Sequence, residues 1–246
     1  MIRIAAIIPA RGGSKGIPHK NIIDFCGKPL LAWTIEHALH SKFVDEVFVS
    51  TDDINIAEVV INFGAKIVDR PAKFSSDDAS SECAIKHVIE NNNLFNWDYI
   101  VFLQPTSPLR QPSDIDNAIR KIKLEQADSL FSASYVSNFN IWRSKDGVSF
   151  LPCYDFKNRL RRQDSETQFG KQYIENGSLY VFKPKPFFIS ENRLFGKISM
   201  SLMESWKSFE IDDYESLELC KMLFQLNKNE MIENETPLRE KIRIFD

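Results

Sequence analysis

The sequence predicts an α/β fold organised around a mostly parallel sheet. The chain has 246 residues, 43% of them hydrophobic, which is enough for one large domain with a full core. Short apolar runs alternate with segments of helical spacing, at about the period of βαβ units. We therefore expect functional residues where the strands end, at the carboxyl edge of the sheet.

The strands of the first half are predicted from compact apolar runs. The first run, Ile4 to Ile8, ends at Pro9 and a glycine pair, as a buried parallel strand does when it enters a functional loop. Similar runs predict strands over residues 46–51, 65–69, 99–104 and 129–135. Helical spacing between them is clearest in two sets of apolar residues: Leu31, Ile35, Ala38 and Leu39, and then Ile115, Ala118, Ile119 and Ile122.

Residues 136–172 depart from this alternation. Here the pattern loosens into short polar stretches that carry aromatic residues, among them Phe139, Trp142 and Phe156. No low-complexity linker or internal repeat separates this stretch from its surroundings. We interpret it as a subregion inserted into the sheet-forming domain.

The alternation resumes after the inserted subregion. Strands are predicted over residues 178–182 and 209–211, and a helix runs from Asp213 to about Leu226. The remaining residues, 227–246, form a charged tail. We therefore predict a single domain over residues 1–226.

Composition excludes several classes of function. The net charge of -3 gives no overall attraction for nucleic acid or for an anionic membrane. Nowhere do eighteen apolar residues run together, and no signal peptide is predicted, so we expect a cytoplasmic protein. The four cysteines are far apart and are interpreted as buried thiols in a reducing compartment.

The first predicted strand leads into a basic, glycine-rich loop from Pro9 to Asn21. Closely spaced glycines can present backbone N–H groups to an anion, and basic side chains add charge. The glycines are Gly12, Gly13 and Gly16, and the basic residues are Arg11, Lys15 and Lys20. Their spacing fits neither GxxxxGK[ST] nor GxGxxG, which argues against a P-loop ATPase and a dinucleotide oxidoreductase. A triphosphate suits this charge, and a flexible, solvated turn is the alternative.

Weaker candidates follow the second and third predicted strands. Asp52 ends one strand and Arg70 the next, and the serines that follow include Ser80 and Ser81. Taken singly, Asp52 and Ser80 are equally well explained as helix caps and Arg70 as a surface charge.

The segment from Leu103 to Arg110 is more specific. Two prolines fix the chain where a predicted strand leaves the sheet, and they set out Gln104, Thr106 and Ser107. Uncharged hydrogen-bonding side chains suit a sugar. A rigid turn between a strand and a helix accounts for the prolines but does not require Gln104.

Two later stretches carry groups suited to a carboxylate and to a metal. Arg161 and Arg162 offer the planar fork that matches a carboxylate, with a basic surface loop as the alternative. Glu210 and Asp212 would lie on one face of the predicted strand over 209–211, and paired carboxylates bind hard cations such as Mg²⁺. A polar strand edge that leads into a helix cap is the alternative there.

Together these motifs resemble the acylneuraminate cytidylyltransferases, the CMP-sialic acid synthetases. At least five motifs occur in the family order over roughly residues 3–220. The resemblance implies a three-layer, Rossmann-like nucleotidyltransferase fold with an inserted dimerisation subregion, and hence a homodimer. It also implies an enzyme that couples CTP to a nine-carbon 2-keto sugar acid, a nonulosonic acid, with Mg²⁺ or Mn²⁺ and with release of pyrophosphate.

The same resemblance implies a role for each motif residue. The catalytic residues would be Arg11, Lys15, Lys20, Arg161 and Asp212. The nucleotide would be bound by Ala10, Arg11, Gly12, Gly13, Ser14, Lys15, Asn21, Arg70, Ser80 and Ser81. The sugar would be bound by Gln104, Thr106, Ser107, Arg162, Gln163, Tyr173, Glu175 and Asn176. The metal would be bound by Glu210 and Asp212, although the family normally has Asp at position 210.

Two other functions stay open at this point. An enzyme of the same class could act on the eight-carbon acid Kdo, although the segments at Arg161 and Tyr173 favour a nine-carbon acid. A catalytically silent nucleotide-binding dimer is supported only by Glu210 in place of the family Asp. The sequence does not decide which nine-carbon acid is used.

Overall fold

A computed structural model describes residues 2–76, 79–136 and 140–228 and, at position 162, the backbone only. These residues form eleven strands and seven α-helices. The strands are β1 (Ile4–Pro9), β2 (Asp24–Phe25), β3 (Lys28–Pro29), β4 (Glu46–Thr51), β5 (Lys66–Asp69), β6 (Tyr99–Leu103), β7 (Ser129–Tyr135), β8 (Trp142–Arg143), β9 (Leu151–Pro152), β10 (Tyr173–Phe182) and β11 (Ile198–Leu202). The helices are α1 (Leu30–His40), α2 (Ile54–Asn62), α3 (Ser81–Asn91), α4 (Pro112–Leu124), α5 (Arg162–Phe169), α6 (Pro184–Ser190) and α7 (Tyr214–Leu226).

Seven strands form the central sheet, in the order β11-β7-β10-β6-β1-β4-β5. Every neighbouring pair is parallel except the two that involve β10, which is antiparallel to β6 and to β7. The predicted mostly parallel sheet is therefore confirmed. Pro9 lies opposite Ser50 and Thr51 opposite Asp69, so β1, β4 and β5 end nearly level. The loops that follow these strands consequently share one edge of the sheet.

Helices cover both faces of the sheet, which gives the predicted three layers. Because strand side chains alternate, Ile4, Ala6 and Ile8 pack in one core cluster with residues of α1 and α4. Ala5 and Ile7 face the other side and pack with residues of α3 and with Phe187. A smaller third cluster joins α1 and α7 beside the loop that follows β1.

One strand prediction of the later half is wrong, and one strand there was not predicted. Residues 209–211 are irregular, and the backbone N–H of Ile211 donates to the Thr106 carbonyl instead of joining a ladder. Ile211 is buried in the third cluster, so its apolar character reflects packing and not strand alternation. The sequence also gave no prediction for β11, whose Ile198 and Leu202 are exposed while Ser199 and Ser201 are buried. Because the polar side chains are buried and the apolar ones exposed, the alternation of residue types does not identify this strand.

The inserted subregion contributes nothing to the seven-stranded sheet in its described part. Residues 140–172 contain the short β8–β9 pair and α5, and several apolar side chains there are exposed. Phe139 and the tail beyond residue 228 lie outside the described residues. Where the chain is described, no helix combines the length and the apolar character needed to cross a bilayer.

The expectation of buried thiols is wrong for most of the cysteines. All four are free, but only Cys220 is buried, while Cys153 is exposed and Cys26 and Cys83 are half-buried. Cys153 lies next to β9 in the inserted subregion, where little core forms.

Candidate active site

A cleft of about 500 Å³ opens at the carboxyl ends of β1, β5 and β6. It is formed by the loop after β1, the segment between β5 and α3, the loop after β6, and the residue that precedes the cap of α7. The predicted site residues that line it are Arg11, Gly13, Ser14, Lys15, Lys20, Asn21, Arg70, Ser80, Ser81, Gln104, Thr106 and Asp212. The sheet topology thus brings most of the predicted nucleotide residues to one place.

Polar side chains hold the backbone of the glycine loop by hydrogen bonds. The Gly12 N–H donates to Asp52 Oδ1 at 2.9 Å, and a Cβ on Gly12 would stand 2.7 Å from Asp53 Oδ2. Asn21 is buried, and its Nδ2 donates to the Arg11 carbonyl at 2.9 Å. Gly12 therefore directs its N–H to Asp52 and not to the cleft, and Asn21 fixes the loop backbone while it lines the cleft.

The loop also crosses the acidic segment that follows residue 209. A Cβ on Gly16 would overlap the backbone carbonyl oxygen of Asp212, so only glycine fits at this crossing. Lys20 Nζ donates to the Ile211 carbonyl at 2.8 Å and to Asp212 Oδ1 at 3.0 Å. The Asp212 side chain is nevertheless 74% exposed, so its carboxylate is open to the cleft.

Arg70 is a buried cation in the cleft wall, not the surface charge considered as its alternative. It is 6% exposed, and its guanidinium donates to Ser50 Oγ at 2.9 Å and to the Ser50 carbonyl at 2.6 Å. Burial lowers its pKa to about 10, and the nearby Asp52 opposes that shift. Arg70 is therefore charged at neutral pH. Arg11 lies beside it and donates to the Ser76 carbonyl at 3.1 Å.

The first turn of α3 completes this side of the cleft. Ser80 caps the helix by accepting from the Cys83 N–H, so its cap interpretation is correct while it also lines the cleft. The cap interpretation of Asp52 is wrong, because Asp53 caps α2 and leaves Asp52 to hold Gly12. The N-terminus of α3 adds a favourable dipole for an anion.

The loop after β6 places only part of its predicted sugar set at the cleft. Gln104 and Thr106 line it, and the Thr106 hydroxyl donates to Gln104 Oε1 at 3.4 Å. Ser107 is fully buried and its hydroxyl has no partner among the described residues, because the chain turns inward between the two prolines. Ala10 is likewise buried, and its N–H belongs to the sheet.

A smaller pocket of about 380 Å³ lies beside Gln104, between β10 and the acidic segment. Glu175 and Glu210 line it together with Tyr180, whose hydroxyl donates to Glu175. Asn176 also borders it, but its amide is bonded within the sheet, to the hydroxyls of Ser132 and Ser134 at 2.5 and 3.2 Å. Of the predicted sugar residues that border this pocket, Glu175 offers an exposed carboxylate and Asn176 a buried structural amide.

The two predicted metal carboxylates do not share one cavity. Asp212 lines the main cleft, whereas Glu210 lines the smaller pocket, where a Cβ on Gly177 would overlap its Oε1. Burial and then the charge of Asp212 raise the pKa of Glu210 to about 7. The described residues contain no cluster of three or more His, Cys, Asp or Glu side chains placed for a metal. Mg²⁺ commonly takes only one or two protein carboxylates together with substrate phosphates, and Asp212 fits that arrangement.

The predicted residues around α5 lie away from the cleft. Arg161 is 81% exposed and forms an ion pair with Asp164 at 2.7 Å. Gln163 and Tyr173 are also exposed and line neither cavity. The backbone of Arg162 begins α5.

Sequence reasoning assigned no role in the site to two residues that shape it. Asp52 holds the glycine loop, as described above, and Arg110 is fully buried directly behind Gln104. A charged residue that follows two prolines and precedes an apolar helix was the available signal for Arg110. Its burial could not be deduced from that signal alone.

Known proteins resemble the chain in sequence over most of its length. A family model described as cytidylyltransferase matches residues 5–242. A pseudaminic acid cytidylyltransferase of Campylobacter jejuni strain 81-176 is 35% identical, over 90% of this chain and 96% of its own. A CMP-N,N'-diacetyllegionaminic acid synthase of Legionella pneumophila is 33% identical, over 94% and 100%. An N-acylneuraminate cytidylyltransferase of Escherichia coli O18:K1:H7 is 32% identical over 94% of this chain and 54% of its own.

Solved structures support the fold independently. A CMP:2-keto-3-deoxy-manno-octonic acid synthetase complexed with CTP superimposes with a TM-score of 0.68, at 18% identity over 92% of this chain and 99% of that chain. A 4-diphosphocytidyl-2C-methyl-D-erythritol synthase gives a TM-score of 0.66, at 10% identity over 91% and 100%. At these identities the likeness concerns the fold alone. Together with the family match and the site geometry, the sequence relatives establish that the chain belongs to the cytidylyltransferase family.

Proposed function

We propose that this protein couples CTP to a nonulosonic acid and releases the CMP-sugar and pyrophosphate. The observation that carries the proposal is the cleft itself, which joins the basic glycine loop, Arg70 and the open carboxylate of Asp212. Three relatives that cover at least 90% of the chain are named for pseudaminic, N-acylneuraminic and legionaminic acids. Of these, we propose the N-acylneuraminate type as the first to test, because the sequence motifs resemble those of the acylneuraminate cytidylyltransferases.

The residues on the β1 side of the cleft suit a triphosphate. Arg11, Lys15, Lys20 and Arg70 gather positive charge around the loop, in a chain that is acidic overall. We propose that they neutralise the phosphates while the anomeric hydroxyl of the sugar acid attacks the α-phosphorus in line. The bond from that phosphorus to the oxygen that bridges the α- and β-phosphates breaks, pyrophosphate leaves with the electron pair of that bond, and the hydroxyl proton passes to solvent. The protein then contributes mainly positioning and charge stabilisation.

Asp212 is the residue proposed to hold Mg²⁺ or Mn²⁺. Its exposed carboxylate faces the same cleft as the glycine loop, and Lys20 orients one of its oxygens. When bound, the ion would neutralise phosphate charge and make the attacking hydroxyl easier to deprotonate. Glu210 lines the smaller pocket and not the main cleft, so we propose it as the weaker metal candidate.

Gln104 and Thr106 are proposed to contact the sugar acid, with Glu175 in the adjoining pocket. A second protein surface is needed for the remaining predicted sugar residues to reach a cleft. These residues are Arg161, Arg162, Gln163 and Tyr173. We therefore propose a homodimer in which the inserted subregion of one copy approaches the site of the other. Exposed aromatic residues of that subregion support this, since Trp142 is 47% and Phe156 52% exposed.

The other proposed properties rest on general features. A cytoplasmic location is consistent with four free cysteines. A Kdo-type enzyme has support only from a structural neighbour, and the likeness to that neighbour is limited to the fold. A catalytically silent dimer has support only from Glu210, and the open carboxylate of Asp212 weighs against it.

The test is release of pyrophosphate by the purified protein. CTP and Mg²⁺ are supplied with N-acetylneuraminate, pseudaminate, legionaminate or Kdo in turn, and each component is omitted in a control. We expect metal-dependent release with one of the nine-carbon acids. Release with Kdo alone would establish the eight-carbon alternative, and tight CTP binding without release from any acid would establish the silent one.

A further inference from the structure

Arg110 is a fully buried cation behind the sugar side of the cleft. It ends the loop after β6 and is 0% exposed. Among the described residues, it is the bulkiest of the fully buried side chains. It does not line either cavity. Any influence on substrate must therefore pass through the groups that it holds.

The guanidinium binds three separate parts of the fold. Nη1 donates to the Ser178 carbonyl at 2.7 Å and to the Ser178 hydroxyl at 3.1 Å, and it approaches the Gln104 carbonyl at 3.5 Å. Nη2 donates to Thr34 Oγ1 at 3.0 Å, on α1. The end of β6, the middle of β10 and α1 are thereby joined by one planar group.

Among the described residues, no carboxylate forms an ion pair with Arg110. Its described hydrogen-bond acceptors are carbonyl and hydroxyl oxygens, and its Nε has no partner among the described residues. Asp114 and Glu210 act on it only as more distant charges. Burial of a guanidinium without a paired carboxylate is costly, and an apolar side chain would avoid that cost. The hydrogen bonds to Ser178 and Thr34, which an apolar side chain could not make, must therefore offset that cost.

The groups that Arg110 holds lie at the sugar side of the cleft. The Ser178 carbonyl also accepts from the Gln104 N–H at 3.2 Å. This oxygen therefore links the backbone of Gln104 to that of Ser178. Gly177, next to Ser178, has a φ of +68° at the irregularity in β10. A Cβ there would stand 3.0 Å from Gln104 Nε2 and would overlap the Glu210 carboxylate. The backbone held by Arg110 thus sets the spacing between Gln104, Gly177 and Glu210.

We propose that Arg110 is a positioning residue for the sugar acid, which it aligns by fixing the backbone of Gln104 and of the irregular segment in β10. Its hydrogen bonds do not reach the loop over 9–21, so CTP binding does not depend on it. The inference rests on the proposed function for its substrate, but its structural half can be tested without turnover.

The test compares Arg110→Met, Arg110→Lys and a control variant, Ile122→Ala, in the full-length protein. Ile122 is fully buried in α4 and lines neither cavity, so its truncation destabilises the fold without removing a polar contact. Arg110→Met is expected to raise KM for the sugar acid about tenfold or more, with KM for CTP within about twofold. Arg110→Lys should recover part of that loss, since it keeps the charge but not the planar fork.

Hydrogen–deuterium exchange of peptides covering residues 100–111 and 173–183 supplies the second measurement. Exchange there should be faster in Arg110→Met than in Ile122→Ala, once the two are compared at equal loss of thermal stability. Equal changes in KM for both substrates, or exchange no faster than in Ile122→Ala, would overturn the inference. If the unaltered protein turns over none of the acids, the proposed function fails, and the exchange comparison alone decides whether Arg110 positions this segment.

Discussion

The side of the cleft proposed to bind the nucleotide and the side proposed to bind the sugar differ in how completely a single chain forms them. On the side of β1 and β5, the glycine loop, Arg70 and the first turn of α3 all line one cavity. On the side of β6 and β10, Gln104 and Thr106 are the predicted sugar residues that line it, while Arg161 and Tyr173 are exposed elsewhere. Parallel strands that end level bring their loops together without further help. An inserted subregion has no such constraint, so its motif residues need another surface to reach a substrate.

The largest expected effect falls on the acidic segment that both sides share. Asp212→Ala should lower turnover at least about a hundredfold, because it removes the open carboxylate proposed to hold the metal. The fold should survive, since this side chain is mostly exposed. Steady-state turnover and thermal unfolding check both points, with Glu215→Ala as the control for loss of a nearby negative charge. Near-normal turnover in Asp212→Ala would end the metal assignment.

A second substitution tests the completeness of the nucleotide side. Arg70→Met should weaken CTP binding about thirtyfold, because the variant loses a buried positive charge in the cleft wall. Titration calorimetry with CTP alone measures this. Arg120→Met, on the exposed face of α4, is the matched control and should bind CTP as the unaltered protein does. Equal affinities in the two variants would show that Arg70 serves only to hold Ser50.

A third test addresses the sugar side through its exposed aromatic residues. Trp142 and Phe156, whose ring centroids are 6.0 Å apart, would be replaced together by serine. If a partner covers them, kcat/KM for the sugar acid should fall about twentyfold and elution from gel filtration should shift to the monomer. CTP affinity should stay unchanged. Phe95→Ser, which alters an exposed aromatic outside the inserted subregion, is the control. An unaltered protein that is monomeric and fully active would contradict the dimer.

The smallest expected effect concerns the crossing of the glycine loop and the acidic segment. Gly16→Ala should lower kcat/KM for CTP about tenfold, because its methyl group would displace the loop from the Asp212 backbone. Gly13→Ala is the matched comparison, since no atom lies within 4 Å of a Cβ at that position. It should lose less activity than Gly16→Ala. The reverse order would show that loop position is not set at this crossing.

The sequence predicted the position of a motif best where the motif directly follows a strand of the parallel sheet. The loop after β1, Arg70 and Gln104 could be assigned to one edge because each follows a strand of a mostly parallel sheet. Roles within that edge were less predictable. Ser107 turns into the core, Asn21 bonds the loop backbone and Gly12 donates to Asp52, and none of these directions is encoded in residue type or spacing.

The remaining differences have physical causes in packing. Residues 209–211 resemble a strand because apolar positions alternate, but Ile211 is apolar because it fills a small cluster beside α7. The consequence is that Glu210 and Asp212 border different cavities. Arg110 could not be assigned either, because its burial depends on contacts from α1 and β10, which lie more than sixty residues away in sequence.

Phosphorus NMR of the complete reaction tests the proposed function most directly. CTP, Mg²⁺ and the preferred nine-carbon acid are incubated with the protein, and the phosphorus-containing products are identified. A CMP-sugar phosphodiester and pyrophosphate, formed in equal amounts, are the products we predict. CMP and pyrophosphate without a phosphodiester, or no consumption of CTP with any acid, would contradict the assignment of this chain as a nonulosonate cytidylyltransferase.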